Sequence, residues 1–171
     1  MKPLIDQMWE DIPEFPNYEI SNWGLVYNKR RNSVMRSSLN THGHVKISLV
    51  NWSGRHTRSV ALLVAEAFVI SPDPLCDTVV LLDGVLTNVM AENIAWRPKW
   101  YAWKYVRQLK TPQPIHYRNL AVVNVVTGDR YSSIIEAGMK EGLLFSDIWR
   151  STYSGSLTYP NHCAFIIDER V

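Results

Sequence analysis

Alternating apolar and polar residues dominate residues 9–60 and predict short β-strands. The longest run is 43–50, where three aliphatic residues share one strand face: Val45, Ile47 and Leu49. Shorter runs at 18–21 and 25–27 flank a turn at Gly24. A period of two bounded by turn residues is typical of antiparallel strands. We therefore expect this part of the chain to form a small antiparallel sheet.

Helical and extended patterns alternate in the middle of the chain. Residues 59–69 carry alanine and leucine at helical spacing, and the prolines within 71–74 stop that helix. An apolar strand over 78–82 then reaches the Asp83-Gly84 turn signal. The segment 88–96 after this turn is expected to be a short helix.

The last third of the chain predicts a strand and two short helices. Residues 121–126 are rich in β-branched side chains and form the strand. Ser133 is the expected N-cap of the first helix, with Glu136 as its capping-box partner. Ser146 is the expected cap of the second helix, over 147–153. Two helices joined by a glycine-containing turn have the outline of a helix-turn-helix, whose second helix enters the major groove of DNA.

Composition is that of a folded globular chain. Apolar residues make up 46% and charged residues 20% of the 171 residues, and every apolar run is far shorter than the roughly 20 residues that span a bilayer. The amino terminus has acids where a signal peptide needs an apolar core, so we expect a cytoplasmic protein. The two cysteines, Cys76 and Cys163, are expected to be reduced thiols and are too few for a thiolate zinc site.

Charge is unevenly distributed, although the net charge is only +2. Residues 28–58 contain no acid and seven basic residues: Lys29, Arg30, Arg31, Arg36, Lys46, Arg55 and Arg58. Residues 97–118 contain no acid and six more basic residues: Arg97, Lys99, Lys104, Arg107, Lys110 and Arg118. The two stretches hold 13 of the 18 cations, which indicates basic faces directed at a polyanion, with nucleic acid as the leading partner.

Aromatic residues interleave with the second set of cations. Trp96, Trp100 and Trp103 recur at i, i+4 and i+7, which predicts a helix with a tryptophan side. An aromatic stripe at this spacing is typical of a packed core. We expect the tryptophan side to point inward and the neighbouring cations to follow the DNA backbone.

Three motifs near the amino terminus resemble a known family. They read WEDIP at 9–13, NYEISN at 17–22 and GLVY at 24–27, and they resemble the amino-terminal motif of the HNH homing endonucleases of phages. Later pieces follow in the order of that family: the 43–50 strand, the 63–68 helix, the Asp83-Gly84 turn, Asn88 and the 93–96 segment. Residues 122–152 are similar to the small DNA-binding repeat of those enzymes. The resemblance covers roughly residues 9–165 and implies a phage protein in the cytoplasm of an infected bacterium.

The resemblance implies an α+β fold. A small antiparallel sheet leads into a ββα-metal core, and a basic linker and a strand with a helix-turn-helix follow. The corresponding segments are 1–58 for the DNA-contacting sheet, 59–98 for the HNH-like core, 99–118 for the linker and 119–171 for the carboxy-terminal DNA-binding module. In the family, the core holds one divalent cation against the scissile phosphate, and a neutral histidine takes a proton from the attacking water.

The positions that carry this chemistry in the family are aliphatic here. The Asp-His pair of the family falls on Val80 and Leu81, and its helix asparagine falls on Ala102. Neither valine nor leucine binds Mg²⁺ or accepts a proton. We therefore expect no catalytic residue, no metal ligand and no cofactor. Mg²⁺ is expected as a cofactor only if the protein is an active HNH-type nickase with rearranged metal ligands.

The sequence thus predicts a duplex DNA-binding protein that derives from such a nuclease and lacks its activity. The expected DNA contacts are cations of the two basic stretches and two residues of the last helix: Lys29, Arg30, Arg31, Arg36, Lys46, Arg55, Arg58, Lys99, Lys104, Arg107, Lys110, Arg150 and Ser151. Two alternatives stay open. One is an active HNH-type nicking enzyme with rearranged metal ligands, which would recruit His42, His44 or His56, with His42 and His44 expected on one strand face. The other is a phage module that binds a phage or host protein through exposed aromatic residues. No membrane partner is expected.

Overall fold

A computed structural model describes residues 7–170, which form two compact units. Residues 1–6 of the predicted segment 1–58 and residue 171 of the predicted segment 119–171 lie outside the described residues. The first unit comprises the described residues up to Ser71 together with Val85–Trp96, and the second comprises Pro72–Gly84 together with the described residues from Arg97 onward. Small antiparallel sheets and helices make up both units, which confirms the mixed α and β class. The division into four segments stays a prediction.

The first unit is built on two antiparallel sheets and one helix packed against them. Its elements begin, in chain order, with β1 (Trp9–Asp11), β2 (Tyr18–Ser21), β3 (Val26–Asn28), β4 (Ser33–Val34), β5 (Ser38–Leu39), β6 (Val45–Asn51), β7 (Gly54–Ser59) and α1 (Val60–Phe68). Strands β1 to β4 pair in sequential order, and β5, β6 and β7 form the other sheet. Helix α1 packs against β2, β6 and β7. The aliphatic face predicted for β6 is buried, as expected: Val45, Ile47 and Leu49.

Strand β6 begins two residues later than the sequence pattern predicts. Gly43 has a φ of +85°, and Asn40 Oδ1 accepts hydrogen bonds from the backbone N–H groups of His42 and His44, each at 2.9 Å. An asparagine side chain that binds the backbone two residues on stabilises a turn instead of a strand. The two histidines are therefore exposed in a tight turn. Their predicted place on one strand face is wrong.

The helix predicted over 88–96 is also wrong. After strand β8 (Thr78–Leu81), which lies at its predicted place, the chain makes a single 3₁₀ turn at Ala91–Asn93 and continues as β9 (Ile94–Arg97). The Asn93 side-chain amide donates to the Asn88 carbonyl at 2.8 Å. An asparagine side chain that binds a backbone carbonyl competes with the hydrogen bonds of a helix. The chain therefore continues after the turn as an extended strand instead of a helix.

The second unit contains four helices and a three-stranded antiparallel sheet among its described residues. Its elements after β9 are α2 (Lys99–Lys110), α3 (Ile115–Asn119), β10 (Val122–Asn124), β11 (Arg130–Tyr131), α4 (Ile134–Glu141), α5 (Phe145–Ser154) and β12 (Phe165–Ile167). Strand β10 lies between β11 and β12, α4 packs on α5, and α5 packs on β12. The buried core of this unit includes Val122, Ile134, Leu143, Phe145, Ile148 and Phe165. A strand and two helices thus follow each other in the predicted order.

The start of α4 follows the capping prediction in part. Ser133 is its N-cap, and the Ser133 hydroxyl accepts a hydrogen bond from the N–H of Glu136 at 3.1 Å. The Glu136 carboxylate reaches one residue beyond the expected position and accepts from the N–H and the hydroxyl of Ser132. These bonds, with Lys140 beside them, lower the pKa of Glu136 to about 2.

The start of α5 is different from the prediction, because Ser146 is not its cap. The helix begins at Phe145, and its N-cap residue is Leu144, whose side chain makes no capping hydrogen bond. The N–H of Leu144 donates to the Tyr101 hydroxyl and the N–H of Phe145 donates to Gln108 Oε1, each at 2.9 Å. Side chains of α2 therefore satisfy the amides that a local cap would otherwise have to satisfy.

Among residues 7–170, no helix is long and apolar enough to cross a membrane. Cys76 and Cys163 are both buried, and neither belongs to a disulfide. Burial raises the pKa of each thiol above its ordinary value, so neither has the character of an activated thiolate.

Candidate nucleic-acid interface

The outward face of the β5–β6–β7 sheet is polar and cationic. The register of β6 and β7 places three residue pairs on this face: Lys46–Ser59, Ser48–Thr57 and Val50–Arg55. The buried aliphatic residues of β6 point to the opposite face. Residues 28–58 contain no acid that would oppose a phosphate. Lysine and arginine donate hydrogen bonds while hydroxyls both donate and accept, so this face can bind phosphate oxygens and base edges.

Sequence reasoning missed the hydroxyl residues of this face together with strand β7. The signal was present in the alternation of Arg55, Thr57 and Ser59 directly after the Ser53-Gly54 turn. Two alternating runs joined by a short glycine-containing turn indicate a hairpin. DNA contacts were predicted from the sequence for the cations of this hairpin and not for the hydroxyls between them.

Two of the predicted DNA contacts in the first unit, Arg58 and Lys29, form ion pairs with acidic residues of the same unit. Arg58 lies opposite Ile47 in the ladder, with its Nη2 2.8 Å from Glu14 Oε2 and its guanidinium 5.3 Å from the centre of the Phe15 ring. We therefore leave Arg58 out of the interface.

Lys29 is the second of these paired cations. It forms an ion pair with Asp11 and lies 3.7 Å from Glu19. The hydrogen bond to Asp11 raises the pKa of Lys29 above its ordinary value. Because its charge is already matched within the unit, Lys29 is also left out of the interface.

The other predicted cations of the first unit remain available to a ligand. Arg30 and Arg31 lie exposed in the turn between β3 and β4, where the Arg31 N–H donates to Asn28 Oδ1 at 3.0 Å. Arg36 is exposed just before β5, and Arg55 is exposed on β7. Together with the half-buried Lys46, these side chains give the first unit a basic surface.

Helix α2 of the second unit has its tyrosine side inward and its tryptophan side outward, the reverse of the expectation. The Tyr105 hydroxyl donates to the Leu82 carbonyl at 2.8 Å, and Tyr101 accepts the bond from Leu144 described above. Burial raises the pKa of both hydroxyls. A tyrosine hydroxyl can donate and accept, whereas an indole can only donate, so tyrosine suits a core that offers both kinds of partner.

The outward side of α2 carries aromatic rings and cations side by side. Trp100 and Trp103 are 56% and 63% exposed. Lys104 Nζ lies 5.1 Å from the centre of the Trp100 ring, and the Arg107 guanidinium lies 5.3 Å from that of Trp103. Four predicted DNA contacts are exposed on this helix: Lys99, Lys104, Arg107 and Lys110. The i, i+4 pairing with the rings holds two of these cations at the helix surface.

Helix α5 brings only one of its two predicted contacts to the surface. Arg150 is exposed, as is its neighbour Tyr153. Ser151 is buried, and its hydroxyl donates to the Ser156 carbonyl at 2.7 Å and accepts from the Phe165 N–H at 2.9 Å. The predicted DNA contact by Ser151 is therefore wrong, because the fold uses both hydrogen-bonding functions of the hydroxyl. Ile148 is buried on the packing side of the helix.

The cation Arg97 at the end of β9 is a structural residue. It is only 4% exposed, and it donates from Nε to the Gly142 carbonyl at 2.9 Å and from Nη2 to the Glu141 carbonyl at 2.7 Å. These carbonyls end α4, where backbone acceptors lack helical partners. Burial lowers the pKa of the guanidinium, which still carries its charge at neutral pH.

The three positions aligned with nuclease chemistry are buried and aliphatic. Val80 and Leu81 lie on β8 and Ala102 lies on α2, which packs against β8, and they are 2%, 8% and 5% exposed. None of these side chains has an oxygen or nitrogen atom, so they do not fit a divalent cation. Within residues 7–170 there is no cluster of three or more histidine, cysteine, aspartate or glutamate side chains that could hold a metal ion.

Comparisons with known proteins agree with this architecture. Residues 8–50 match the NUMOD4 motif. The fold is similar to a solved structure described as "DNA binding and cleavage by the HNH homing endonuclease I-HmuI", with a TM-score of 0.55, 20% identity, and coverage of 96% of this chain and 99% of that one. A search of curated proteins found no match. The resemblance to the HNH homing endonucleases is thereby confirmed by a motif in the first unit and by the fold of nearly the whole chain.

Proposed function

We propose that this protein binds duplex DNA and does not cleave it. The observation that carries the proposal is a contrast between two sets of positions. The positions that align with the metal ligands and the general base of the nucleases carry buried aliphatic side chains. Most cations of the two acid-free stretches, in contrast, are exposed. A nuclease ancestor that lost its chemistry and kept its DNA-binding surfaces explains both halves of this contrast.

The exposed surfaces supply the two kinds of contact that DNA recognition needs. Cations of α2 and of the β5–β6–β7 sheet neutralise phosphates, which positions the protein without reading sequence. Hydroxyls of the sheet face and the guanidinium of Arg150 on α5 can reach base edges, since arginine binds guanine through two donors. Each unit thus has its own DNA-binding surface.

The sheet face is tested by removing its two cations together. We expect the double variant Lys46→Ala, Arg55→Ala to bind a labelled duplex roughly tenfold more weakly and to lower the slope of log K against log salt by about two. Fluorescence anisotropy at low salt measures both quantities. Arg58→Ala is the matched control, because Arg58 is paired with Glu14. If the control loses as much affinity as the double variant, the proposed face is wrong.

Sequence reading is expected to depend on Arg150. Replacing Arg150 with alanine should lower the discrimination between a selected target and random DNA by about 1 to 3 kcal/mol. Lys104→Ala and Arg107→Ala should weaken binding to both alike, because α2 contacts phosphates. Competition binding measures the ratio, after a target has been selected from random duplexes. If Arg150→Ala loses the same affinity for every sequence, α5 contacts the DNA backbone and does not read the bases.

A further inference from the structure

The tip of the β6–β7 hairpin carries a tryptophan that the fold does not bury. Trp52 is 96% exposed, so almost the whole indole lies in solvent. It follows Asn51, which closes the ladder by pairing with Gly54. An aromatic side chain presents a large apolar area. Exposing an apolar area of this size to water is unfavourable. The location of the indole at a hairpin tip is one from which it can contact a binding partner.

Hydrogen bonds and a ring contact hold the tip that carries Trp52. Asn51 Oδ1 accepts from the N–H of Ser53 at 3.0 Å and from its hydroxyl at 2.8 Å, and His56 Nε2 lies 2.9 Å from the same hydroxyl. The His56 ring packs edge-on against Phe15 of the core, with ring centres 5.7 Å apart. A residue projected from a fixed turn loses little conformational entropy on binding.

The residues around Trp52 favour nucleic acid as its binding partner. Lys46, Ser48 and Val50 alternate along the outward face of β6, and Val50 is paired with Arg55. The apolar ring at the tip is complementary to a base, and the cations beside it, in a segment without acids, are complementary to the phosphates that flank the base. Apolar wedges beside cations are how proteins open a base step, and aromatic rings stack on bases of any sequence.

We propose that Trp52 stacks on a base at an opened step of the bound duplex. This inference rests on DNA binding by the sheet face and adds the base-stacking residue. Stacking on a base that is already unpaired avoids the free energy of opening the duplex. The protein therefore binds a duplex with a central abasic site about 5- to 150-fold more tightly than the same duplex fully matched, which is the range of affinity for one stacked base.

The test measures affinity for the two duplexes by anisotropy, with four proteins. The wild type shows the preference, and Trp52→Phe keeps part of it. Trp52→Ala loses the preference but binds the matched duplex about as well, because there the free energy gained by stacking is offset by the free energy of opening the step. Trp23→Ala is the control, since Trp23 is a partly exposed tryptophan in the turn between β2 and β3 of the same unit. It retains the full preference.

The outcomes separate this inference from the proposed function. If the wild type binds the matched duplex in a salt-dependent manner but shows no preference for the abasic site, base stacking by Trp52 is overturned and DNA binding stands. A preference that persists in Trp52→Ala also overturns the inference. If the wild type binds neither duplex at low salt, the proposed function itself fails.

Discussion

Binding to duplex DNA should weaken by about 10³- to 10⁴-fold when the salt concentration rises from about 50 to about 200 mM. The reason is the number of predicted cationic contacts that remain once the paired Lys29 and Arg58 are set aside. All of them are exposed except the half-buried Lys46: Arg30, Arg31, Arg36, Lys46, Arg55, Lys99, Lys104, Arg107, Lys110 and Arg150. If about six to eight of them meet phosphates, the slope of log K against log salt is roughly −5 to −7, at about −0.9 per phosphate.

Anisotropy of a labelled duplex over a series of potassium chloride concentrations gives this slope directly. A second series with potassium glutamate keeps the cation and changes the anion, which separates release of cations from DNA from effects of the anion on the protein. Affinity that does not depend on salt, or no binding at the lowest salt, would favour the protein-binding module over DNA binding.

Arg97→Met should destabilise the second unit by about 3 to 4 kcal/mol. Methionine fills much of the same space, but it leaves the Gly142 and Glu141 carbonyls without their buried donor. Unfolding in urea, followed by tryptophan fluorescence and by circular dichroism, measures the loss. Arg107→Met is the matched control, because Arg107 is exposed on α2 and its replacement should change stability by no more than about 0.5 kcal/mol.

The same two variants should behave in the opposite way towards DNA. Under conditions where both are folded, Arg107→Met should lower the salt slope by about one, and Arg97→Met should leave it unchanged. An Arg97→Met protein of normal stability with a reduced slope would show that Arg97 contacts DNA. In that case its assignment as a structural residue would be wrong.

Local patterns predicted those elements whose stability is decided locally. The alternation in β6 and the apolar spacing of α1 gave the correct elements, and the Ser133 cap lies within hydrogen-bonding distance of its own helix. The cap of α5 could not be found in this way. Its amides are satisfied by Tyr101 and Gln108, which lie 43 and 37 residues away in sequence.

The orientation of α2 shows the same limit. Both sides of this helix are aromatic, so spacing alone does not tell which side is buried. The decision comes from distant partners, since Tyr105 bonds to the Leu82 carbonyl and Tyr101 to the Leu144 amide. Tryptophan offers no acceptor for such an amide.

The candidate interface was visible in the sequence as charge, but the sequence did not separate available cations from committed ones. Arg58 is paired with Glu14, 44 residues before it, and Arg97 binds carbonyls 44 and 45 residues after it. Whether a cation meets an acid of the fold, a helix end or solvent is settled by tertiary packing. Charge counts from sequence therefore overestimate the interface.

A nicking assay under conditions of saturated binding tests most directly the proposal that this protein binds DNA without nuclease chemistry. Supercoiled plasmid is mixed at low salt with enough protein to shift all of it in a gel, and Mg²⁺ or Mn²⁺ is then added, with a chelator control. Because Val80, Leu81 and Ala102 can neither hold the metal nor take a proton, the plasmid is expected to bind and to remain supercoiled. Metal-dependent nicking that disappears in His42→Ala, His44→Ala or Asp83→Ala would contradict this result and establish an active enzyme with rearranged ligands.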